Sequence, residues 1–397
     1  MTASPVTVGQ VSQSNELLPA GIVRYGEAAL ADLMPSALAA LGLPSEPNPL
    51  QLPSSGCIVV LLIDGLGWNL LRRYAEHAPF LAGLAGRPLT AGFPTTTATS
   101  LASLGTGRPA GEHGLTGYTS LIGELGQPIN WLRWQVAPSG ADLLPRLIPE
   151  QLQPIPTVFE RAERAGVAVS VVSSYGFRGS GLTRAVLRGG SYLPVFTGAD
   201  TATTVAAAAR AGRPSLIYCY YSELDLIGHG RGCHSEAWRL QLALVDRAAQ
   251  LLAERLPGDA LLLVTADHGM VDVPEVAKID YDAEPELADG VEAIAGEARV
   301  RYLHVAPGRL AEVQQRWQDR LAGSFSVLTR EQAIERGWYG PRVDPLARQR
   351  IGDLVVLATG PGAVVRRRAE QRLAAMTGQH GALTEDELLV PLLRYPG

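Results

Sequence analysis

Short apolar runs alternate along the chain with stretches of helical periodicity. The most apolar runs, rich in β-branched residues, are predicted as strands at 57–63, 167–173, 214–221 and 260–265. Stretches with apolar residues at helical spacing are predicted as helices at 68–76, 157–165, 202–211 and 235–255. Strands that alternate with helices are typical of a parallel sheet joined by crossover helices. The pattern therefore predicts an α/β fold, a doubly wound, mostly parallel central sheet with helices on both faces.

Changes in composition divide the chain into three predicted parts. Residues 1–54 are rich in Pro, Ser and Gly at both ends and have one helical patch, so we expect an arm packed on the core. Residues 55–270 plus 366–397 form the predicted core. Residues 271–365 carry a second, smaller set of strand and helix signals without chemical motifs, which predicts an inserted or lateral α+β subdomain.

Composition and charge narrow the class of protein. With 397 residues, 46% hydrophobic, the chain has enough apolar material for a large core. The formal net charge is −5 and no basic run is dense, which argues against genomic nucleic acid as a partner. The longest apolar stretch is far shorter than the ~20 residues that span a bilayer, so we expect no membrane insertion. Residues 1–16 lack the features of a secretory signal, and the three cysteines lack C-x-x-C spacing, so we expect reduced thiols and a cytoplasmic location.

Acidic and imidazole side chains follow the predicted strands or lie in glycine-rich loops. Any one of them alone is usually a turn or cap residue. The carboxyl ends of parallel strands face one crevice, however, so the topology predicts that they converge. Mixed Asp and His ligands suit two divalent ions such as Zn²⁺ or Mn²⁺. The candidate ligands are Asp64, Asp225, His229, Asp267, His268 and His380.

A hydroxyl-rich turn at 93–100 precedes a short predicted helix that ends in glycine. Taken alone, such Thr and Ser residues are most often helix N-caps. Beside two cations, however, a Thr at a helix N-terminus could attack phosphorus, because metal coordination and the helix dipole favour its alkoxide. The metal-type ligands make a nucleophile the favoured interpretation, and Thr95, Thr96, Thr97 and Thr99 are all available.

Five segments, in this order, resemble the nucleotide pyrophosphatase/phosphodiesterase branch of the alkaline phosphatase superfamily. They read LLIDGLGW, FPTTTATSLASLGTGRPAGEHG, ELDLIGHGRG, TADHGM and GQHG. The resemblance implies an alkaline phosphatase-like fold and a threonine nucleophile at Thr97. It also implies two divalent ions, Mn²⁺ or Zn²⁺, and a phospho-threonine intermediate that water cleaves. The implied ligands are Asp225, His229 and His380 for one ion, and Asp64, Asp267, His268 and Thr97 for the other.

The sequence also offers candidate substrate-binding residues. Many relatives have Phe-Pro-Asn just after the nucleophile, where this chain has Ala98-Thr99-Ser100, so Ser100 is the candidate donor to a phosphoryl oxygen. Aromatic rings on loops could stack on a base, although they could equally be ordinary packing residues. Arginines in the motif loops could contact phosphate. These candidates are Tyr118, Trp131, Trp134, Tyr175 and Phe177 for the base, and Arg108 and Arg231 for phosphate. His113 is expected to shape its loop.

A narrower resemblance concerns the substrate. The wording PTTTATSL and GEHGLTGY is similar to that of bacterial cyclic di-AMP phosphodiesterases, as is the chain length. It implies a nucleotide partner, a cyclic dinucleotide that is opened to pApA, to AMP, or to both. A nucleotide pyrophosphatase, a phosphomonoesterase or phosphonate hydrolase, and a non-catalytic nucleotide sensor remain alternatives. The oligomeric state stays open.

Overall fold

The computed structural model describes residues 21–396, without the side chain of Glu124. Residues 1–20, and with them the first part of the expected arm, lie outside the described residues. The strands are β1 Cys57–Ile63, β2 Ala85–Thr90, β3 Thr119–Ile122, β4 Gln127–Asn130, β5 Gln135–Val136, β6 Ala168–Ser174, β7 Ser191–Val195, β8 Ser215–Tyr221, β9 Ala260–Thr265, β10 Val271–Asp272, β11 Lys278–Asp280, β12 Val291–Glu297, β13 Val300–Val305, β14 Phe325–Thr329, β15 Leu354–Ala358, β16 Ala363–Val365, β17 Gly378–Gln379 and β18 Leu389–Tyr395.

The helices alternate with these strands in the first two-thirds of the chain. The α-helices are α1 Leu33–Ala40, α2 Trp68–Arg73, α3 Pro79–Gly83, α4 Thr97–Thr106, α5 Ala110–His113, α6 Pro149–Leu152, α7 Val158–Arg164, α8 Gly181–Val186, α9 Gly198–Ala211, α10 Glu223–Arg231, α11 Glu236–Ala253, α12 Pro285–Ala288, α13 Leu310–Leu321, α14 Arg330–Glu335, α15 Pro345–Arg350, α16 Gln371–Ala374 and α17 Glu385–Leu388. Short 3₁₀ turns lie at Leu30–Asp32, Ala75–His77, Gly123–Leu125, Tyr175–Phe177, Glu275–Ala277 and Tyr281–Ala283.

A seven-stranded sheet with the order β2-β18-β9-β1-β8-β6-β7 forms the centre of the fold. The five strands from β9 to β7 run parallel to one another, and β18 and β2 add an antiparallel edge. Every residue of β1 and β9 is buried, as expected for strands covered on both faces. The predicted α/β fold with a mostly parallel central sheet is therefore confirmed.

Local sequence signals set the ends of the helices. Thr157 accepts a hydrogen bond from the Glu160 N–H, and the Glu160 side chain accepts one from the Thr157 N–H, which is the reciprocal capping box that starts α7. Ser235 caps α11 through the Trp238 N–H. The helix α4 ends at Gly107, whose φ of 68° is a left-handed conformation that glycine adopts without strain. Predicted and observed helix ends differ by a few residues, because the terminal residues of a helix are only weakly specified by the local sequence.

The described part of the predicted arm packs on the core. The helix α1 buries Leu33, Met34 and Ala37 in the same hydrophobic cluster as the central strands. Ala29 also forms an isolated bridge to Thr90 at the edge of the sheet. Packing rather than helix propensity fixes this segment, because an eight-residue helix is marginal on its own.

A second, antiparallel sheet with the order β12-β13-β15-β14 lies within the segment 271–365. Two buried ion pairs join it to segments near the C-terminus. Arg299 forms a bidentate ion pair with Glu387 (N–O distances of 3.0 and 2.7 Å), and Arg301 forms one with Glu370 (3.3 and 2.7 Å). Removal of one partner would leave a buried charge without its ion pair, which typically lowers the free energy of unfolding by about 3–5 kcal/mol.

A three-stranded sheet, β3-β4-β5, was not predicted from the sequence. Its strands have only two to four residues, and the β4–β5 turn occupies residues 131–134. Two buried tryptophans hold this turn: Trp131 donates to Ser120 Oγ (3.0 Å) and Trp134 donates to the Leu147 carbonyl (2.8 Å). Strands this short carry too few residues to show a period of two.

The three cysteines are free and buried. Among the helices of residues 21–396, none combines the length and the apolarity needed to cross a bilayer.

His113, at the end of α5, is buried with both ring nitrogens engaged. Its Nδ1 accepts a hydrogen bond from the Leu115 N–H (3.1 Å), so the proton of the neutral ring lies on Nε2, which donates to Ser103 Oγ (3.0 Å). Burial, followed by the positive charge of Arg350, lowers the pKa of His113 from 6.5 to about 3. The ring shapes its loop as a neutral group.

The neutral state of His113 predicts a loss of stability in acid. Below pH 6.5 the unfolded chain binds a proton at this position, whereas the folded chain does so only near pH 3. The free energy of unfolding therefore falls as the pH drops through this window, by up to about 1.4 kcal/mol per pH unit from this group. In H113N the amide oxygen can still accept from Leu115 but cannot titrate. We expect urea unfolding of H113N to show a shallower pH slope than wild type, and parallel slopes would contradict a neutral His113.

Candidate active site

Two carboxylates meet where adjacent central strands end. Asp64 directly follows β1, and Asp267 lies two residues beyond β9. These strands pair in parallel, with Leu62 opposite Thr265, so both carboxylates lie at the same edge. The N–H of Gly65 donates to Asp267 Oδ1 (3.2 Å), which ties the two loops together.

His268 extends this pair. Its backbone N–H donates to Asp267 Oδ1 (3.1 Å), and its Nδ1 lies 2.9 Å from the Gly269 carbonyl. A carbonyl can only accept, so Nδ1 carries the proton and the lone pair of Nε2 is available. This Nε2 lies 3.4 Å from Asp64 Oδ1 and 3.6 Å from Asp267 Oδ2. The three side chains form a group whose ligand atoms lie within 4.8 Å of one another.

The helix α10 brings two further candidates to the same place. Asp225 and His229 are four residues apart, so they share one face of the helix, with Oδ2 and Nε2 3.2 Å apart. His229 donates from Nδ1 to the Gly378 carbonyl (2.8 Å). A side chain at Gly65 would meet Asp225 at 3.1 Å, and Gly65 has a φ of 74°. Glycine at this position therefore lets α10 approach the end of β1.

His380 completes the cluster from the far end of the chain. Its Nδ1 donates to the Thr95 carbonyl (2.9 Å), and its ring stacks on that of His268 with centroids 3.6 Å apart. Asp225, His268 and His380 form a second group within 4.8 Å. The structure thus brings all six candidate ligands together. His268 belongs to both groups, and His229 belongs to neither but contacts Asp225. The family resemblance instead implied His229 with Asp225 and His380, and His268 with the other ion.

The polar atoms of this cluster fit divalent cations. Asp64 Oδ1, Asp225 Oδ1 and Asp267 Oδ2 are buried and have no hydrogen-bond partner among the described residues. Burial, together with the charges of Asp267 and Asp225, raises the pKa of Asp64 well above its usual value. Unpaired buried carboxylate oxygens beside free imidazole nitrogens form a donor set that Zn²⁺ or Mn²⁺ prefers.

Asp225 and His229 form an internal ion pair in this site. Burial opposes both charges, but His229 and the neighbouring imidazoles outweigh it and lower the pKa of Asp225. Burial likewise acts to lower the pKa of His229, but the charge and hydrogen bond of Asp225 raise it to about 9. Burial, His268 and His229 hold the pKa of His380 well below its usual value. A neutral His380 is the form that ligates a metal.

Thr97 lies at the first position of α4 and lines the cavity above the cluster. Its hydroxyl oxygen lies 3.2 Å from His268 Nε2. The first hydrogen bond of the helix runs from the Ser100 N–H to the Thr96 carbonyl, so earlier N–H groups point out of the helix end. Such an end attracts anions. Thr95 and Thr99, by contrast, donate to the backbone carbonyls of Ala382 and Leu115.

The structure corrects the sequence-based position of Ser100. Its hydroxyl is fully buried and donates to the Asp267 carbonyl (2.7 Å), so it braces the ligand loop instead of facing the cavity. Ser100 lies one helical turn after Thr97, on the same side of α4, but its hydroxyl is bonded to the backbone of the loop that carries His268.

Among the aromatic candidates, Tyr118 and Phe177 line the cavity, while Tyr175 stacks on Phe196 outside it (5.5 Å). The expectation for the two tryptophans is corrected. Trp131 and Trp134 are fully buried against each other, with centroids 5.4 Å apart, so neither ring is available to a base.

The two arginine candidates also lie elsewhere. Arg108 is exposed and pairs loosely with Glu112 (3.7 Å), and Arg231 is exposed at the end of α10. Neither lines the cavity. The prediction that they contact phosphate is therefore not supported, because neighbouring side chains of one motif can face opposite directions.

Sequence reasoning missed three residues beside the cluster. The Tyr220 hydroxyl donates to Asp64 Oδ2, and Tyr220 sits at the end of β8, a position that the strand prediction could have flagged. Glu297, at the end of β12, lies 3.5 Å from His380 Nδ1, and burial raises its pKa to about 8. The amide of Asn130, on β4, also lines the cavity. Glu297 and Asn130 come from the two small sheets, where no local motif marks them.

Glu387 joins the two loops that carry His268 and His380. Its backbone carbonyl accepts from the Gly269 N–H (2.8 Å), and its carboxylate accepts from the Ala382 N–H (3.0 Å). Arg299 neutralises it from the second sheet. A substitution at Glu387 would therefore disturb both loops at once.

A cavity of about 590 Å³ opens above the cluster. This volume is within the usual range of about 300–1,000 Å³ for small-molecule sites. Its floor carries Asp64, Thr97, Asp225, His229 and His380, and its walls come from β4–β5, α8 and residues 369–380.

Comparisons with known proteins identify a family and similar folds. The family model described as type I phosphodiesterase/nucleotide pyrophosphatase matches residues 58–383. No match to a curated protein is found. An inactive threonine-to-alanine variant of murine ectonucleotide pyrophosphatase/phosphodiesterase 5, in complex with AMP, has a similar structure, with a TM-score of 0.65 at 19% identity over 84% of this chain and 87% of that one.

Two further solved structures are similar. The human ectonucleotide pyrophosphatase/phosphodiesterase 5 has a TM-score of 0.65 at 17% identity, over 85% of this chain and 87% of that one. Phosphonoacetate hydrolase from Sinorhizobium meliloti 1021, in complex with phosphonoformate, has a TM-score of 0.61 at 20% identity, over 86% and 90%. At these identities the likeness shows the fold.

A cation among the three carboxylates is expected to stabilise the folded protein. Zn²⁺ or Mn²⁺ at about 100 times its dissociation constant should add about 2.7 kcal/mol to the free energy of unfolding. Without metal, D64N should be more stable than wild type because it removes one buried, mutually repelling carboxylate, and it should gain much less from metal. Thermal unfolding with metal and with chelator measures both effects.

D246N is the matched control for D64N. Asp246 is also buried, but it accepts from the N–H groups of Phe80 and Leu81, away from the cluster. It should lose stability without metal and keep the full gain from metal. If D64N behaved in the same way as D246N, the carboxylates would not be a cation site.

Proposed function

The chain belongs to the type I phosphodiesterase/nucleotide pyrophosphatase family, and we propose that it hydrolyses a nucleotide phosphodiester with two divalent ions and Thr97 as the nucleophile. The observation that carries this proposal is the position of the Thr97 hydroxyl, at a helix N-terminus and 3.2 Å from His268 within the carboxylate cluster. The AMP complex of the murine neighbour, whose inactive variant has a threonine replaced by alanine, supports a threonine in this role.

The reaction would proceed as two displacements. The Thr97 oxygen forms a bond to phosphorus, while the bond from phosphorus to the leaving ribose oxygen breaks and that oxygen takes up a proton. Water then attacks the phospho-threonine, which restores the Thr97 hydroxyl and releases a phosphate monoester. Each displacement inverts phosphorus, so the net result is retention.

Different residues of the site would bind the phosphoryl group, orient the histidines and hold the ions. The N–H groups at the start of α4 would bind phosphoryl oxygens, and the backbone carbonyls that hold Nδ1 of each histidine would orient the imidazoles. Zn²⁺ or Mn²⁺, when bound, neutralises phosphoryl charge and favours the ionised hydroxyl. The residues that would hold the ions are Asp64, Thr97, Asp225, His229, Asp267, His268 and His380.

Cyclic di-AMP is the substrate that we propose, with pApA, AMP or both as products. The support is the similarity of the PTTTATSL and GEHGLTGY segments to those of cyclic di-AMP phosphodiesterases. Phosphonate hydrolysis is the second candidate, because phosphonoacetate hydrolase has a similar fold. Both reactions suit a nucleophile beside two cations, so the remainder of the cavity must distinguish them.

A substrate panel tests this proposal. With Mn²⁺ or Zn²⁺, the purified protein should convert cyclic di-AMP to pApA or AMP faster than it hydrolyses cyclic di-GMP, ATP, p-nitrophenyl phosphate or phosphonoacetate. Chromatography of the products gives the ranking, with bis(p-nitrophenyl) phosphate as a plain diester. No turnover of any ester with either metal, together with nucleotide binding that persists in T97A, would indicate a sensor instead.

The assignment of the nucleophile is tested by removing single threonine hydroxyls in the first turn of α4. T97A should lower kcat by roughly 10³-fold or more, because it removes the attacking atom, while T97S should keep part of the activity. T99A is the matched control, since Thr99 donates to the Leu115 carbonyl and not into the cavity. Metal binding, followed by calorimetry, should persist in T97A. Near wild-type turnover by T97A would assign the attack to Thr96.

A further inference from the structure

Two arginines on the cavity wall have no ion-pair partner among the described side chains. Arg133 comes from the β4–β5 turn and Arg372 from α16, and both line the cavity that holds Thr97. Most arginines of the described chain bind carboxylates or carbonyl groups. An exposed guanidinium on a cavity wall keeps its donors available for a ligand.

The turn that carries Arg133 is held rigidly. Trp131 and Trp134, on either side, are fully buried, and a side chain at Gly181 would meet the Trp134 ring at 2.3 Å. The Arg133 N–H donates to Asn130 Oδ1 (3.1 Å). Arg133 itself is exposed and lines the same cavity as Tyr118. The two tryptophans thus act as anchors for an arginine.

The segment that carries Arg372 is also fixed. Lys278, the only lysine in the chain, donates to the carbonyls of Ala374 (3.0 Å) and Met376 (2.9 Å) at the end of α16. Glu370, just before the helix, is held by Arg301. This pairing neutralises Glu370, an acidic cavity-lining residue two positions before Arg372. The charge of Arg372 therefore remains uncompensated.

We propose that Arg133 and Arg372 form a second anion subsite, which binds a further phosphate of the substrate while Thr97 attacks the first. The inference rests on the proposed phosphodiesterase function and names its substrate class: dinucleotides that carry a second phosphate group. Guanidinium groups match phosphate through paired N–H donors. Tyr118, Phe177 and Leu182 line the same cavity and offer apolar surface to the bases.

The test compares two linear dinucleotides that differ by one phosphate. ApA has a single phosphodiester, whereas pApA has the same diester and a terminal phosphate. Wild type should have a kcat/KM for pApA roughly ten-fold above that for ApA, since charge-assisted hydrogen bonds hold the extra phosphate. Added salt should reduce this ratio because both arginines are exposed. In R133A/R372A the ratio should fall to near one, with the loss on pApA.

R164A is the matched control, since Arg164 is exposed on α7, has no ion pair among the described side chains and lies outside the cavity lining. It should keep the wild-type ratio. An equal fall for pApA and ApA in the double variant, or an unchanged ratio, would overturn the subsite.

Calorimetric binding of pApA and ApA separates this result from the proposed function. If wild type cleaves neither dinucleotide nor bis(p-nitrophenyl) phosphate, the phosphodiesterase proposal fails. The subsite would still be supported by tighter binding of pApA that disappears in R133A/R372A, and it would be refuted by equal affinities.

Discussion

Mutual repulsion among three buried carboxylates is the constraint on which the rest of this structure depends. Asp64, Asp225 and Asp267 each keep one oxygen without a hydrogen bond, at the edge where β1, β8 and β9 end. Taking such charges out of water is costly unless a cation or a donor compensates them. Parallel strand order brings the carboxylates together, and Gly65 allows α10 to approach. The site therefore concentrates buried carboxylate oxygens without hydrogen-bond partners among the described residues, a donor set that suits a divalent cation.

In contrast to these carboxylates, each of the three histidines has a hydrogen-bond partner that fixes its ring. Nδ1 of His229, His268 and His380 donates to a backbone carbonyl, and Nε2 of His229 and His268 lies close to the carboxylates. Such partners set ring orientation and tautomer before any ligand arrives. Glu387 and Arg299 extend this support, because their ion pair links the ligand loops to the second sheet. The second sheet thus stabilises a centre whose ligands lie on α10 and on loops that follow β1, β9 and β17. The β4–β5 turn of the three-stranded sheet carries Arg133 to the cavity.

Much of this arrangement could be predicted from the sequence. The run at β1 is fully apolar, and the run at β9 is apolar up to Thr265. Such runs mark buried parallel strands, because a strand covered on both faces has little use for polar residues. An aspartate directly after such a run must then lie at the edge of the sheet. The same logic places Thr97 at a helix start, since hydroxyl groups there satisfy free N–H groups. The resemblance of the motifs to those of the family, in the same order along the chain, supplied the implied roles of these residues.

Tertiary packing decided which side chains of those motifs face the cavity. Ser100 turns to the Asp267 carbonyl, and Trp131 and Trp134 enter the core, although their loops border the site. Glu297 reaches the cavity from the end of β12 and Arg133 from the β4–β5 turn, and no local motif marks either position. Sequence periodicity reports whether a residue is buried or exposed within its own element, because backbone geometry fixes that direction. It carries no information on which distant element covers the residue. In this protein, that tertiary contact decides whether a side chain packs in the core or lines the cavity.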